Sequence, residues 1–359
     1  MAGLLLAVLG LALLPALAAA QERGRVRIQG CDGQGDTVAP TPGPALSLDP
    51  REEMRRFVQS IRTFARQHKR GFVIIPQNGL DLLIRSDEAN ENKISVARTY
   101  MRSIDGVLQK GLFFGIPQFD QPTNNDRRET LLALTDAAKR NGLSVFVVDY
   151  GTSAATIAES QRLNRARKLM SIVAPARGLE LNRLPTYSKR PEGENPKSII
   201  TMKDVRNFIY LRDSSAFGRQ DQYALTLHEN NFDVVITDVF HRTGEPLTKQ
   251  AVETLKYKKI GAKRLVLAYV NIGTAASYHY YWRPHWTEGS PLWINALYPG
   301  DPDRYFVEYW SPEWQQIITG DTETYIYGVI AQGFDGVVLD GIESFRFFEG
   351  RTEVSKAPP

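Results

Sequence analysis

One cysteine, Cys31, stands in 359 residues, so no intramolecular disulfide can form and a cysteine-built metal cage is excluded. Histidine is also scarce, and His68, His228, His241, His279 and His285 show neither HxH nor HExxH spacing, which argues against a zinc site. The chain has no GxSxG elbow, no Walker loop and no GxGxxG turn, so neither a serine-nucleophile turn nor a nucleotide-phosphate cradle is present. No cofactor and no metal are therefore expected. A net charge of only +4, spread along the chain, offers no footprint for nucleic acid or a membrane surface.

What is present suits a soluble globular protein: 42% hydrophobic, 10% aromatic and 23% charged residues. Residues 4–20 form an apolar run ending in LAAAQE, and small residues before Gln21 suit signal-peptidase cleavage. Residues 1–20 are thus expected to be a signal peptide and the protein to be secreted or periplasmic. An uncleaved anchor is the alternative, but the run is short for a span of about 20 residues, so no stable membrane span is expected after signal removal. Residues 21–48 include GDTVAPTPGPALS, which has no apolar period and reads as a flexible linker, and residues 351–359 read as a tail.

From Asp49 the segment DPREEMRRFVQSIRTFARQ places Met54, Phe57, Val58, Ile61 and Phe64 at helical spacing, with Pro50 in the first turn. Eight apolar runs then recur at 72–79, 106–115, 143–151, 171–178, 207–213, 232–240, 264–273 and 334–345, with helical segments between them. Runs such as VVITD and LVLAYV are apolar on both sides, as strands covered by helices on a parallel sheet must be. Eight strands alternating with helices predict an α/β fold, a (β/α)8 TIM barrel, as a single domain over 49–350. The polar stretch PTYSKRPEGENPK, 185–197, reads as a surface linker between the fourth and fifth strands. A monomer is expected.

Active sites of α/β barrels lie at the carboxyl ends of the strands. The polar residues that end the runs are Gln77, Asn78, Asp149, Asp213, Asp238, Asn271 and Asp340, with Glu343 three residues beyond. Taken singly, each could be a helix cap or a solvated loop residue. Asp238 and Asp340, on the sixth and eighth strands, flank the strand that carries Asn271 and are the expected catalytic pair, close enough for a shared cleft in which one carboxyl serves as acid and the other as base. Which is the acid depends on burial. Gln77, Asn78, Asp149, Tyr269, Asn271 and Glu343 are expected substrate-binding residues. So are Trp282, Tyr309 and Trp310, from a segment, 282–314, that holds all five tryptophans. Flat rings there could stack on pyranose faces, or the segment could pack its own small core over the barrel top.

FDVVITDVF, RLVLAYVNIG with YHYYW, VEYWSPEWQQIITG and GFDGVVLDGIESF in the second half, with DPREEMRRFVQSI, GFVIIPQNG, IDGVLQKGLFFG and VFVVDYG in the first, resemble exported barrels related to glycoside hydrolase family 114, the endo-alpha-1,4-polygalactosaminidases. The family's usual order places the VITD-to-LDGIESF block first. The reversed order here implies a circular permutation, and the chain independently shows a leading helix without a strand before it and a final strand without a helix after it. The resemblance implies an exported glycoside hydrolase acting on a polysaccharide or oligosaccharide, one that contains galactosamine, and it matches Asp238 and Asp340 to family acids. Two departures leave a non-catalytic carbohydrate-binding barrel open as the rival. Thr274, Ala275, Ala276 and Ser277 stand where related chains carry acids, and Val338 stands where the polygalactosaminidases place a glutamate. An exported interaction protein without sugar affinity would instead bury Trp282, Trp286 and Trp310.

Overall fold

The computed structural model describes residues 48–87, 90–175, 190–242 and 244–350. The expected signal peptide, the linker up to residue 47, residues 185–189 and the tail lie outside the described residues. The first helix, α1 (Pro50–His68), starts where expected: the Asp49 carboxylate accepts the N–H groups of Arg51 and Glu52, and Pro50 needs no partner in the first turn. Met54, Phe57, Val58 and Ile61 are fully buried along one face.

Eight core strands follow among the described residues, each overlapping one of the eight apolar runs: β1 (Val73–Pro76), β2 (Gly106–Lys110), β3 (Ser144–Tyr150), β4 (Met170–Ala174), β5 (Phe208–Tyr210), β6 (Val234–Asp238), β7 (Leu265–Asn271) and β8 (Gly336–Asp340). The helices between them are α2 (Asn125–Arg140), α3 (Ala154–Ala166), α4 (Gln220–His228), α5 (Lys249–Leu255), α6 (Pro312–Thr319) and α7 (Tyr325–Gln332). The architecture is mixed α/β with parallel sheets. One sheet runs β1-β8-β7-β6-β5 and the other β2-β3-β4. A parallel bridge between Gln77 and Leu108, with the Asn78 N–H donating to Leu108 O (2.7 Å), links the end of β1 to β2. The first and last strands are hydrogen-bonded neighbours, Val73 opposite Gly336.

Between the last two core strands the chain forms two helices, α6 and α7, with a turn between them where Thr324 Oγ1 donates to Asp321 O. Helix α5 starts at Lys249, where Thr248 caps it by accepting the Ala251 N–H. Three additions were not foreseen among the described residues: an antiparallel pair, Ile84–Asp87 with Asn90–Val96, a short one, Phe240–His241 with Glu245–Pro246, and a three-stranded antiparallel sheet of Thr274–Ala276, Arg304–Val307 and Ile294–Leu297 in the connection after β7.

The amino ends of the strands are pinned by a repeated device. An aspartate just before a strand accepts the first N–H of a neighbouring segment and pairs with a cation. Asp105 takes Ile74 N–H and Arg66, Asp335 takes Val266 N–H and Lys69, and Asp233 takes Arg206 N–H and Lys258. The Lys258–Asp233 pair is fully buried at 2.6 Å, and Lys258 also donates to the carbonyls of Asn195 and Lys197. Residues 195–197 of the Pro-rich stretch are thereby tied to the base of β6. Lys258→Met should leave Asp233 as an unpaired buried charge and destabilise the protein by roughly 3 to 5 kcal/mol, read as a lowered urea midpoint.

Candidate functional site

Side chains alternate along a strand, so register decides which residues share a face. On β7, Tyr269 stands opposite Asp238 of β6 and Val338 of β8, and Asn271 stands opposite Asp340. Asp238, Tyr269, Asn271 and Asp340 therefore lie on one face. Gln77, two residues beyond the Ile75 that pairs with Val338, continues that face onto β1, and its bridge to Leu108 brings Lys110 onto it from β2. The Tyr210 hydroxyl on β5 donates to Gln77 Oε1 (3.0 Å), joining the two edges of the five-stranded sheet, so the shared face is concave.

The two acids of this face are pushed in opposite directions. Burial raises Asp238, and Arg212, the N–H groups of Phe240 and Val239, and Arg304 only partly offset it. Burial would raise Asp340 as well, but Lys110, the Tyr269 hydroxyl, the Gly341 N–H and Arg212 together bring it below the ordinary carboxyl range. The Tyr269 hydroxyl donates to Asp340 Oδ2 at 2.7 Å, while the Arg212 guanidinium lies 4.3 Å from the centre of the Tyr269 ring. Arg304 is held by Asp301, Thr274 and the Tyr278 hydroxyl. Tyr325 and His279 sit close by. Burial, with Arg304 and Arg212 adding to it, pushes His279 down to about 4, so its ring is neutral near pH 7.

The other expected residues divide by what holds them. Gln77 is buried, and its amide nitrogen has no hydrogen-bond partner among the described residues. The Asn271 side chain accepts from Gly273 N–H, Thr274 N–H and the Thr274 hydroxyl, shaping the turn after β7. The Asn78 side chain accepts from Lys110 N–H and Gln109. Glu343 lies beside Arg346 (3.5 Å), and burial raises its carboxyl despite Arg346 and Arg127.

Three expectations need correction. Asp149 is fully buried on the opposite side of β3, where the N–H groups of Phe113 and Phe114, the Ser160 hydroxyl and the Asn164 amide saturate it. It fastens α3 to the strand and does not face the concave side. Tyr309 is fully buried and donates to Pro50 O (2.7 Å), and Trp310 packs edge-on against Tyr309 and Phe348 at the seam with α1. The tryptophan wall is mostly a small core: Trp282, Trp286, Trp293 and Trp314 touch in sequence, Trp293 and Trp314 are buried, and Trp282 is stacked on Tyr305.

Lys110, Arg212, Arg304, His279 and Tyr325 were missed because only acids, amides and the aromatic cluster were sought. A usable signal existed for two of them. Lys110 ends an apolar strand, and Arg212 stands two residues past Tyr210, which keeps it on that residue's side. Among the described residues no group of three or more His, Cys, Asp or Glu side chains is arranged to hold a metal ion, and no helix is long and apolar enough to cross a membrane.

Parallel strands flanked by helices, with polar groups gathered at the strands' carboxyl ends, are the arrangement of α/β enzymes. Residues 208–357 match the model of Glycoside-hydrolase family GH114, and the chain is related to that family through this segment. Similar proteins include an uncharacterized protein of Thermotoga maritima, 31% identical over 159 residues (44% of this chain, 47% of that one). One of Deinococcus radiodurans is 34% identical over 125 residues (35% and 38%), and one of Methanocaldococcus jannaschii 30% identical over 167 (43% and 46%). The chain spans less than half the length of each of these relatives.

Asp149→Ala should strand four donors and cost about 3 kcal/mol of stability, measured by chemical denaturation. A loss below 0.5 kcal/mol, on the order of a surface substitution, would contradict the scaffold role.

Proposed function

We propose that the protein is an exported glycoside hydrolase that cleaves a polysaccharide, with Asp238 as the proton donor and Asp340 as the ionised partner. One observation carries this reading: two carboxyls on one concave face, raised in one case and lowered in the other. Environments that separate the titration of two acids are what acid and base roles require. Asp238 gives its proton to the glycosidic oxygen as the bond to the anomeric carbon breaks. The positive charge developing on that carbon is met by Asp340, which either bonds to the carbon or takes a proton from the attacking water. The Tyr269 hydroxyl and the Gly341 N–H hold the Asp340 carboxylate in its ionised form.

The same reading takes the eight strands as a closed (β/α)8 barrel, with β4 lying against β5 to complete the ring. It also takes the chain as a circular permutation of the family arrangement, which the pairing of β1 with β8 supports because such neighbours can exchange first and last place. The matched segment carries β5 to β8, leaving β1 to β4 as the block that the family places second. A galactosamine-containing polymer is the substrate class that the family resemblance favours, and a monomer in the secreted or periplasmic space is the expected form.

A second reading, a binding barrel without catalysis, is favoured by Thr274, Ala275 and Ala276, which are buried and carry no acid. A galactosamine hexasaccharide and the fluoride of a galactosamine trisaccharide separate the two. Fluoride leaves without a proton donor, so Asp238→Asn should lose about 100-fold or more on the hexasaccharide and much less on the fluoride. Asp340→Asn should lose activity on both. No cleavage of either compound by the unaltered protein would favour the binding reading.

The pH profile follows from the two directions. Activity should fall as pH drops through the lowered titration of Asp340, which must be ionised. It should fall again as pH rises through the raised titration of Asp238, which must hold its proton. An optimum on the acidic side of neutrality is expected. Lys110→Met removes a positive charge near Asp340 and should move the acid limb to higher pH, leaving the alkaline limb in place; an unmoved acid limb would count against Asp340 as the ionised partner.

A further inference from the structure

We propose that Phe240, His279 and Tyr280 form the subsite that receives the departing sugar, an aromatic shelf that recognises the flat C–H face of a pyranose. This rests on the assignment of Asp238 as proton donor. A proton donor touches the leaving oxygen, so the departing sugar must lie on the donor's side of the cleft.

The shelf is built around that donor. The Phe240 N–H donates to Asp238 Oδ1 at 3.0 Å, which fixes the phenyl ring two residues from the carboxyl. Its centroid lies 6.3 Å from the rings of both His279 and Tyr280. His279 is stacked on Tyr281 (5.2 Å, 20° between planes), and Tyr280 meets Tyr325 edge-on at 5.7 Å. These contacts hold the rings from behind. Tyr280 nevertheless remains 57% exposed, whereas Trp293 and Trp314 of the same insertion are 3% and 0% exposed. Tyr280 is exposed, the half-buried Phe240 and His279 lie beside it and the buried Tyr325 lies behind it, so the group offers a ring surface of the kind that stacks on sugar C–H groups.

Beyond Asp340 the cleft has a different chemistry. Glu343, Arg346 and Asp81 form an ion-paired cluster there, with Arg127 acting on Glu343. The cleft is thus aromatic on the donor side and charged on the other. Hydroxyl and amino substituents would be read mainly on the charged side, where directional partners exist, while the shelf selects for ring shape and tolerates variation in the departing unit.

The two compounds above test the shelf, because fluoride leaves it empty and the hexasaccharide fills it. Tyr280→Ala should lower kcat/KM on the hexasaccharide by about tenfold more than on the trisaccharide fluoride. Tyr280→Phe, which keeps the ring, should restore the ratio. The alkaline limb of the pH profile should stay in place in both variants, which separates lost stacking from disturbance of Asp238. Equal losses on the two compounds would overturn the shelf while leaving the hydrolase reading standing. No cleavage of either compound by the unaltered protein would remove the hydrolase reading and the shelf with it.

Discussion

The in-register pairing of β6, β7 and β8 determines which side chains can meet. A slip of one residue in a parallel ladder would turn Asp238 or Asp340 from the concave face to the helix-covered side. Both ends of the ladder resist such a slip. At the amino end, Asp335 accepts the Val266 N–H and Asp233 is locked to Lys258. At the carboxyl end, the turns after β7 and β8 approach so closely that a Cβ on Gly273 would sit 2.0 Å from Gly341 O, and Gly341 itself has φ +77° with the Asn271 side chain against it. No side chain fits at either glycine. Asn271 thus contributes to the site by fixing the turn after β7 against which the Gly341 turn packs.

That geometry creates an electrostatic asymmetry. Asp238 and Asp340 feel the same Arg212, and burial acts on both. The difference comes from what else reaches them: Lys110 and the Tyr269 hydroxyl act on Asp340, while Asp238 has the N–H groups of Phe240 and Val239 and Arg304, which offset its burial only in part. Tyr269 is central because it stands opposite Asp238 in register yet bonds to Asp340. A charged network on one side and an aromatic enclosure on the other therefore follow from which strands lie beside β7.

Much of this was legible in the sequence. Each of the eight apolar runs overlaps a core strand, because strands buried on both faces need continuous apolar character. Asp238, Asp340, Tyr269, Asn271 and Gln77 were read onto a common site, and the structure places them on one face. Asp149 was misread for a definable reason: strand ends cannot be located to a single residue from pattern alone, and one residue reverses the side. The tryptophans misled differently. Clustering shows that rings will meet, but whether they meet each other or a ligand depends on packing against Ile272, Tyr305 and one another. The cations were missed because Lys110 and Arg212 look like ordinary solvated residues until register turns them inward.

The central claim is that one face holds two carboxyls whose titrations are driven apart, Asp238 upward and Asp340 downward. Direct titration of the aspartate carboxyl carbons by 13C NMR, with Asp238 and Asp340 assigned through their Asn variants, tests it most directly. The account predicts that Asp238 titrates above, and Asp340 below, the ordinary aspartate value of about 3.9. Two ordinary titrations, or the reverse order, would contradict it.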